Sequence, residues 1–148
     1  MKKLFLILLS SFSLSVVAVS IDDLVNAIHK VETSGKTGAI LGDYDKVTKS
    51  YKALGPMQIQ KVCWIDSVGF DKSIKGKYQD CTDLQYSKKI FVAYSARYTK
   101  GKNFNNLSNL SMKDCEEISR LWNAGPSWKK KMEKTNKYWE KVKSFLVK

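Results

Sequence analysis

The chain has few of the residues on which many hydrolases and metalloenzymes depend. Its 148 residues include one histidine, His29, and three cysteines. A single histidine argues against the usual Ser-His-Asp and Cys-His hydrolases, and no cysteine–histidine spacing suited to a metal occurs. Arginine is also scarce, with two among 26 basic residues, and no aromatic-interleaved basic motif argues for nucleic acid. We therefore expect no metal, no cofactor and no nucleic-acid partner.

Long apolar runs are absent except at the amino terminus. Lys2 and Lys3 precede an apolar run from residue 4 to residue 19, which small residues close. This pattern predicts a secretory signal peptide over residues 1–20, cleaved after Ser20. The run is short for a membrane span of about 20 residues, which leaves an uncleaved signal anchor as the lesser alternative. We expect a secreted or periplasmic protein without stable membrane insertion.

Residues 21–148 are enough for one domain with its own core. They carry 24 basic and 14 acidic side chains. A basic exported protein favours an anionic partner such as cell wall, acidic glycan or anionic lipid. Because neither internal repeats nor low-complexity segments occur, we expect a single monomeric domain.

Apolar residues at helical spacing predict a mainly α fold (α+β) with a small hairpin or loop after the first helix. Glycines and aspartates between residues 38 and 45 indicate that hairpin or loop, and residues 99–111 read as a polar connection. The predicted helices span residues 22–33, 57–65, 83–98, 111–122 and 135–146.

Two sequence features depend on export. Three cysteines in an oxidising compartment allow three pairings, of which Cys63 with Cys81 is the disulfide we expect. Cys115 follows a helical pattern and is expected as a buried thiol. Asn106 and Asn109 each begin an Asn-Leu-Ser triplet, which is a glycosylation acceptor only in a eukaryotic source.

Glu32 lies on the apolar stripe of the first predicted helix. It follows Ile28 by four residues and Val25 by seven, so it continues the buried face. Burial of a carboxyl without a partner is costly and raises its pKa. A general acid near neutral pH needs such a pKa. The alternative is that Glu32 turns to water at the helix end and pairs with Lys36.

Four short motifs occur in a fixed order along the chain. They are Val31-Glu32-Thr33-Ser34-Gly35, Ala53-Leu54-Gly55-Pro56-Met57-Gln58-Ile59, Leu121-Trp122-Asn123-Ala124-Gly125-Pro126 and Thr135-Asn136-Lys137-Tyr138. In this order, over about residues 24–142, they resemble the soluble lytic transglycosylases and goose-type lysozymes of the lysozyme-like superfamily. The resemblance implies a lysozyme-like helical domain that cleaves the β-1,4 bond between N-acetylmuramic acid and N-acetylglucosamine in peptidoglycan.

The resemblance also implies roles for individual residues. Glu32 is the catalytic acid, and Asp43 is a second carboxylate that positions the hydrolytic water; a turn-capping role is the alternative for Asp43. Tyr138 holds Glu32. The substrate-binding residues are Ser34, Gln58, Asn123, Gly125 and Tyr138.

The sequence departs from the family pattern at three positions. Thr33 occupies the usual serine position, Trp122 stands where tyrosine is commoner, and Gln60 replaces an aspartate of goose-type lysozymes. Transglycosylases need one acid, so hydrolysis and transglycosylation both stay open, and Asp43 favours hydrolysis. Two non-enzymatic alternatives are a cationic protein that binds glycan or anionic membrane through lysines 129–131, and an inhibitor or structural partner of a secretion apparatus.

Overall fold

The computed structural model describes residues 18–99 and 109–147. Within these ranges the chain forms five α-helices, two short 3₁₀ helices and one three-stranded antiparallel sheet in the order β1-β2-β3. The α-helices are α1 (Ile21–Thr33), α2 (Lys61–Phe70), α3 (Leu84–Tyr98), α4 (Met112–Ala124) and α5 (Met132–Leu146). The strands are β1 (Leu41–Asp45), β2 (Ser50–Leu54) and β3 (Ile59–Gln60), and the 3₁₀ helices are Tyr78–Thr82 and Trp128–Lys131. The mainly α class with a hairpin after the first helix is confirmed.

The buried face of α1 forms the centre of the core. Apolar side chains of α1 meet those of the sheet and of α3, α4 and α5 in one continuous cluster. Its fully buried members include Leu24, Ile28, Ile59, Phe91, Ile118 and Val142. Because Glu32 continues this face by helical spacing, the core also defines the direction in which its carboxyl points. No helix in the described ranges is long and apolar enough to cross a bilayer.

Both ends of α1 are capped. The Ser20 hydroxyl accepts a hydrogen bond from the Asp23 backbone N–H at 3.1 Å, and the Asp23 carboxylate accepts one from the Ser20 N–H at 3.2 Å. This reciprocal pair is a capping box. At the other end Ser34 adopts a left-handed φ of 56°, and its N–H bonds to the Lys30 carbonyl at 3.0 Å. The helix therefore ends directly after Glu32 and Thr33, beside the hairpin.

The segment before β3 differs from the helix predicted to begin at residue 57. Gly55 and Gln58 both have left-handed backbone angles, with φ of 79° and 50°, so residues 55–58 form a turn and α2 begins only at Lys61. At Gly55 a Cβ would overlap the carbonyl oxygen of Cys81. Only glycine fits this close approach of two backbones.

A buried arginine joins α4 to α5. Arg120, 4% exposed, pairs with Glu116 at 2.7 Å and donates to the Thr135 hydroxyl at 2.7 Å and to the Met132 carbonyl at 2.9 Å. These bonds hold the first turn of α5 against α4. The helix α5 begins at Met132, three residues before the predicted start at Thr135.

The predicted Cys63–Cys81 disulfide is not present, because all three cysteines are free thiols. Each thiol is packed as a small apolar group, and burial raises the pKa of both Cys63 and Cys81 to about 12. Such thiols stay protonated and unreactive at neutral pH. Cys115 is fully buried, as expected. Asn109 is exposed, whereas Asn106 lies outside the described residues.

Two residues upstream of the predicted cleavage point belong to the fold. Val19 is 3% exposed and exchanges two backbone hydrogen bonds with Leu110, at 3.1 and 2.8 Å. Ser20 is the cap of α1. Residues 1–17, which hold most of the predicted signal peptide, lie outside the described residues.

We expect a chain that begins at Val19 to be more stable than one that begins at Ile21. The shorter chain loses the Ser20 cap, worth about 1 kcal/mol, and the burial of Val19, worth about 1.5–3 kcal/mol. Urea unfolding followed by circular dichroism measures the difference. Ser20→Ala in the longer chain is the control and should cost only the cap. Equal stability of the two chains would contradict the assignment of Val19 to the core.

Candidate active site

One cleft, with a volume of about 780 Å³, brings together most of the residues expected to act on substrate. The end of α1 and the hairpin supply one side, and the end of α4 with the start of α5 supplies the other. The lining includes Glu32, Asp43, Gln58, Gln60, Trp122, Asn123, Ala124, Gly125, Lys131 and Lys134. Segments separated by about 100 residues of sequence thus contribute to one site.

Glu32 is largely buried at the end of α1. The Tyr138 hydroxyl donates a hydrogen bond to its Oε1 at 2.6 Å. Burial raises the pKa of Glu32 from 4.5 to about 7, the Tyr138 hydrogen bond acts in the opposite direction, and the charge of Asp43 adds a smaller rise. A carboxyl with this pKa is protonated in about half of the molecules at pH 7. Among the described residues no lysine pairs with Glu32, so the alternative of a Lys36 ion pair is wrong.

Tyr138 stays protonated because its surroundings disfavour the phenolate. Burial, the negative charge of Glu32 and the hydrogen bond to it all raise the pKa of Tyr138 well above its ordinary value. Tyr138 is absent from the cleft lining, so it acts on the site from behind, through Glu32. Its predicted contact with Glu32 is confirmed.

Thr33 connects the end of α1 to the turn before β3. Its hydroxyl lies 3.0 Å from the Pro56 carbonyl oxygen, to which it can donate. The buried His29 ring also supports this end of α1, with Nε2 2.6 Å from the Lys36 carbonyl oxygen. The Thr33 hydroxyl, directly after Glu32, therefore holds the end of α1 against the backbone of the turn before β3. The sequence did not predict this role of His29, because a lone histidine in a helix does not indicate which group it will contact.

Gln58 lies between the turn and the hairpin. Its Nε2 donates to the Gly55 carbonyl at 2.9 Å. The hairpin approaches so closely at Gly42 that a Cβ there would overlap the Gln58 amide oxygen. The absence of a side chain at Gly42 allows Gln58 to line the cleft beside Glu32.

Asp43 is the second carboxylate of the cleft. It lies on β1 with a left-handed φ of 52° and is exposed. Gln60 donates from Nε2 to Asp43 Oδ2 at 2.9 Å. Gln60, which the sequence identified only as a departure from the family pattern, therefore orients the Asp43 carboxylate. The cleft holds one buried and one exposed carboxyl group.

The facing wall is formed where α4 ends. Asn123, Ala124 and Gly125 line the cleft, and Gly125 ends the helix with a φ of 74°. The Trp122 ring packs edge-on against Phe91, with ring centroids 4.9 Å apart. Trp122 therefore packs on the core while it also borders the cleft.

Ser34, like Tyr138, is a predicted substrate-binding residue that the structure does not place in the cleft lining. It is exposed, caps α1 and does not line the cleft. Sequence reasoning also missed Lys131, Lys134 and Gln60 as cleft residues. Charged and amide side chains of this kind are common on any surface, so only their position reveals them.

Comparisons of the chain with protein-family models, with curated proteins and with solved structures gave no match. The described residues contain no group of three or more histidine, cysteine or acidic side chains able to hold a metal ion. The site must therefore be interpreted from its own geometry.

We expect two substitutions to move the pKa of Glu32 in opposite directions. Tyr138→Phe removes a hydrogen bond that favours the ionised form, so the pKa should rise. Asp43→Asn removes a neighbouring negative charge, so the pKa should fall, each by up to about one pH unit. Carboxyl ¹³C NMR titration measures both. The exposed Glu140→Gln is the control and should leave Glu32 unchanged; shifts of the same sign for the first two variants would contradict this electrostatic description.

Proposed function

We propose that this chain is a secreted lysozyme-like muramidase that cleaves the β-1,4 bond between N-acetylmuramic acid and N-acetylglucosamine in peptidoglycan. One observation carries the proposal: Glu32 lines a cleft, and burial raises its pKa to about 7 while Tyr138 holds it. Four family-type motifs contribute residues to the lining of this site, and the fourth, which supplies Thr135, also supplies Tyr138 behind Glu32. A cleft of about 780 Å³ is in the size range of small-molecule sites.

In the proposed reaction Glu32 is the general acid. Its protonated carboxyl transfers a proton to the glycosidic oxygen as the bond to the sugar C1 breaks and an oxocarbenium-like transition state develops. Tyr138 binds Oε1, and the described residues provide no hydrogen-bond partner for Oε2. This arrangement leaves one carboxyl oxygen for the substrate. The nearby Asp43 charge favours retention of the proton on Glu32 until substrate arrives.

Asp43 supports hydrolysis over transglycosylation in this proposal. Its carboxylate is exposed beside the cleft and is oriented by Gln60, so it can accept a proton from a water molecule that attacks C1. In a transglycosylase the 6-hydroxyl of the muramic acid would attack instead, and no second carboxylate would be required. The proposed product therefore has a reducing end.

The proposed site of action is outside the cytoplasm, on an anionic wall. The net charge of +12 for the whole chain favours association with such polymers. A leader that ends before Val19 would preserve the two residues that belong to the fold. The protein is proposed to act as a monomer without a cofactor.

We expect Glu32→Gln to lower the rate of peptidoglycan cleavage by about 10²–10⁴-fold, because the amide cannot donate the required proton. Release of soluble muropeptides from purified peptidoglycan measures the rate. The exposed Glu140→Gln is the matched control and should keep full activity. The wild-type rate should fall as the pH rises through about 7, where Glu32 loses its proton. Unchanged release by Glu32→Gln would contradict the assignment of Glu32 as the acid. No release by the wild-type protein would instead support the alternative of a non-catalytic cationic binder.

We expect mass spectrometry of the products to show reducing ends. Asp43→Asn should lower the rate of hydrolysis, since the attacking water loses its base, while it leaves glycan binding intact. The comparison is made at about pH 5, where Glu32 is protonated in both proteins. It distinguishes the two chemistries, because a transglycosylase would then release 1,6-anhydro ends at a rate that Asp43→Asn does not reduce. Anhydro ends in the wild-type digest would exclude hydrolysis.

A further inference from the structure

The cleft lining includes two lysines, Lys131 and Lys134, that the reaction above does not use. Lys131 ends the second 3₁₀ helix and Lys134 lies in the first turn of α5, and both line the cleft. Lys134 precedes Tyr138 by four residues, so the two project from the same side of α5. The cationic side of the cleft is therefore built on the helix that holds Glu32.

Neither lysine is neutralised by the fold. The described residues place no carboxylate within ion-pair distance of Lys131 or Lys134. Lys131 donates instead to the Ala124 carbonyl at 3.1 Å, which holds its ammonium group at the cleft wall. Lys129 and Lys130 precede it directly, and Glu133 is the one acidic residue between residues 129 and 134, so this segment keeps a net positive charge.

Helix stability does not explain this arrangement. The positive end of a helix dipole lies at its amino terminus, where lysines are unfavourable and acidic residues are favoured. The first turn of α5 contains one acidic residue, Glu133, next to Lys134, and lysines 129–131 lead into it. Glu133 does not line the cleft, whereas Lys131 and Lys134 do, so the helix dipole does not account for the two lysines in the lining.

We propose that Lys131 and Lys134 bind carboxylates carried by the glycan strand and so select acid-bearing strands over neutral strands with the same β-1,4 linkage. The inference rests on the proposed function, since it assigns the substrate class of that same cleft. The peptide substituents of the strand, or the lactyl group of muramic acid where no peptide is attached, present carboxylates beside the sugar backbone, whereas an N-acetylglucosamine polymer presents none. An ammonium group on a flexible stem can follow such carboxylates along the strand.

The test measures binding separately from cleavage. In the Glu32→Gln background, calorimetry compares a soluble peptidoglycan oligosaccharide with free carboxylates and an N-acetylglucosamine oligomer of equal length. Lys131→Gln combined with Lys134→Gln should weaken binding of the acidic strand about five- to tenfold and leave the neutral strand unchanged. The preference for the acidic strand should shrink as the salt concentration rises from about 0.05 M to about 0.5 M, because the electrostatic screening length falls from about 13 Å to about 4 Å.

A matched control separates local from overall charge. Lys143 lies nine residues after Lys134, about two and a half helical turns, and so faces away from the cleft. Lys143→Gln combined with Lys72→Gln, at a second exposed lysine outside the cleft lining, removes the same two charges and should change neither affinity. The double variant should be at least as stable as the parent in thermal unfolding, since neither cleft lysine makes an ion pair in the fold and Lys134 lies at the end of α5 where positive charge is unfavourable.

Several results would overturn the inference. It fails if the double variant binds both strands more weakly by the same factor, or if it binds both strands as tightly as the parent does. It also fails if binding weakens only for strands that carry phosphate polymers. The outcomes also separate the two proposals. If the protein prefers the acidic strand through its lysines but the wild type cleaves nothing, the muramidase proposal is wrong and the lysine proposal stands. If the wild type cleaves peptidoglycan without that preference, the lysine proposal is wrong and the muramidase proposal stands.

Discussion

The hydrogen bond between Tyr138 and Glu32 is the contact on which the site depends. It joins α1 to α5 across 106 residues of sequence at 2.6 Å and holds a carboxyl group where water is largely excluded. The pKa of about 7 in the folded protein means that the folded state keeps this proton more tightly than the unfolded chain. Stability from this group is therefore present at low pH and is lost as the pH rises from about 4.5 to about 7, an effect of about 3 kcal/mol. The core beneath α1 must offset it.

Close backbone approaches place the other cleft residues around that carboxyl. Gly42 leaves room for Gln58, and Gly55 lets the turn before β3 lie against the Cys81 carbonyl. Thr33 joins the end of α1 to the same turn through Pro56. These contacts are short range and involve few atoms, yet each sets the position of a larger element. The cleft is consequently a property of how the hairpin, α1 and α4 meet.

Local rules succeeded where one residue and its neighbours decide the outcome. The apolar stripe of α1 and the helices expected near residues 83 and 111 appear in the folded chain, where Asp83 caps α3 and Ser111 caps α4. Rules that ignore tertiary contacts failed. The helix expected from residue 57 begins only at Lys61, because Gln58 is left-handed and residues 59–60 form β3. Arg120 binds the first turn of α5, which begins earlier than expected, and Cys63 and Cys81 stay as packed thiols.

By itself the sequence determined which side chains share a helix face, because the 3.6-residue repeat is a local property of the backbone. That repeat placed Glu32 on the buried stripe and Tyr138 on the inner face of α5. Only the tertiary structure decided that these two groups meet, that Gln60 orients Asp43, and that Lys131 and Lys134 face the cleft. Such contacts join residues far apart in the chain, and their formation depends on how whole elements pack.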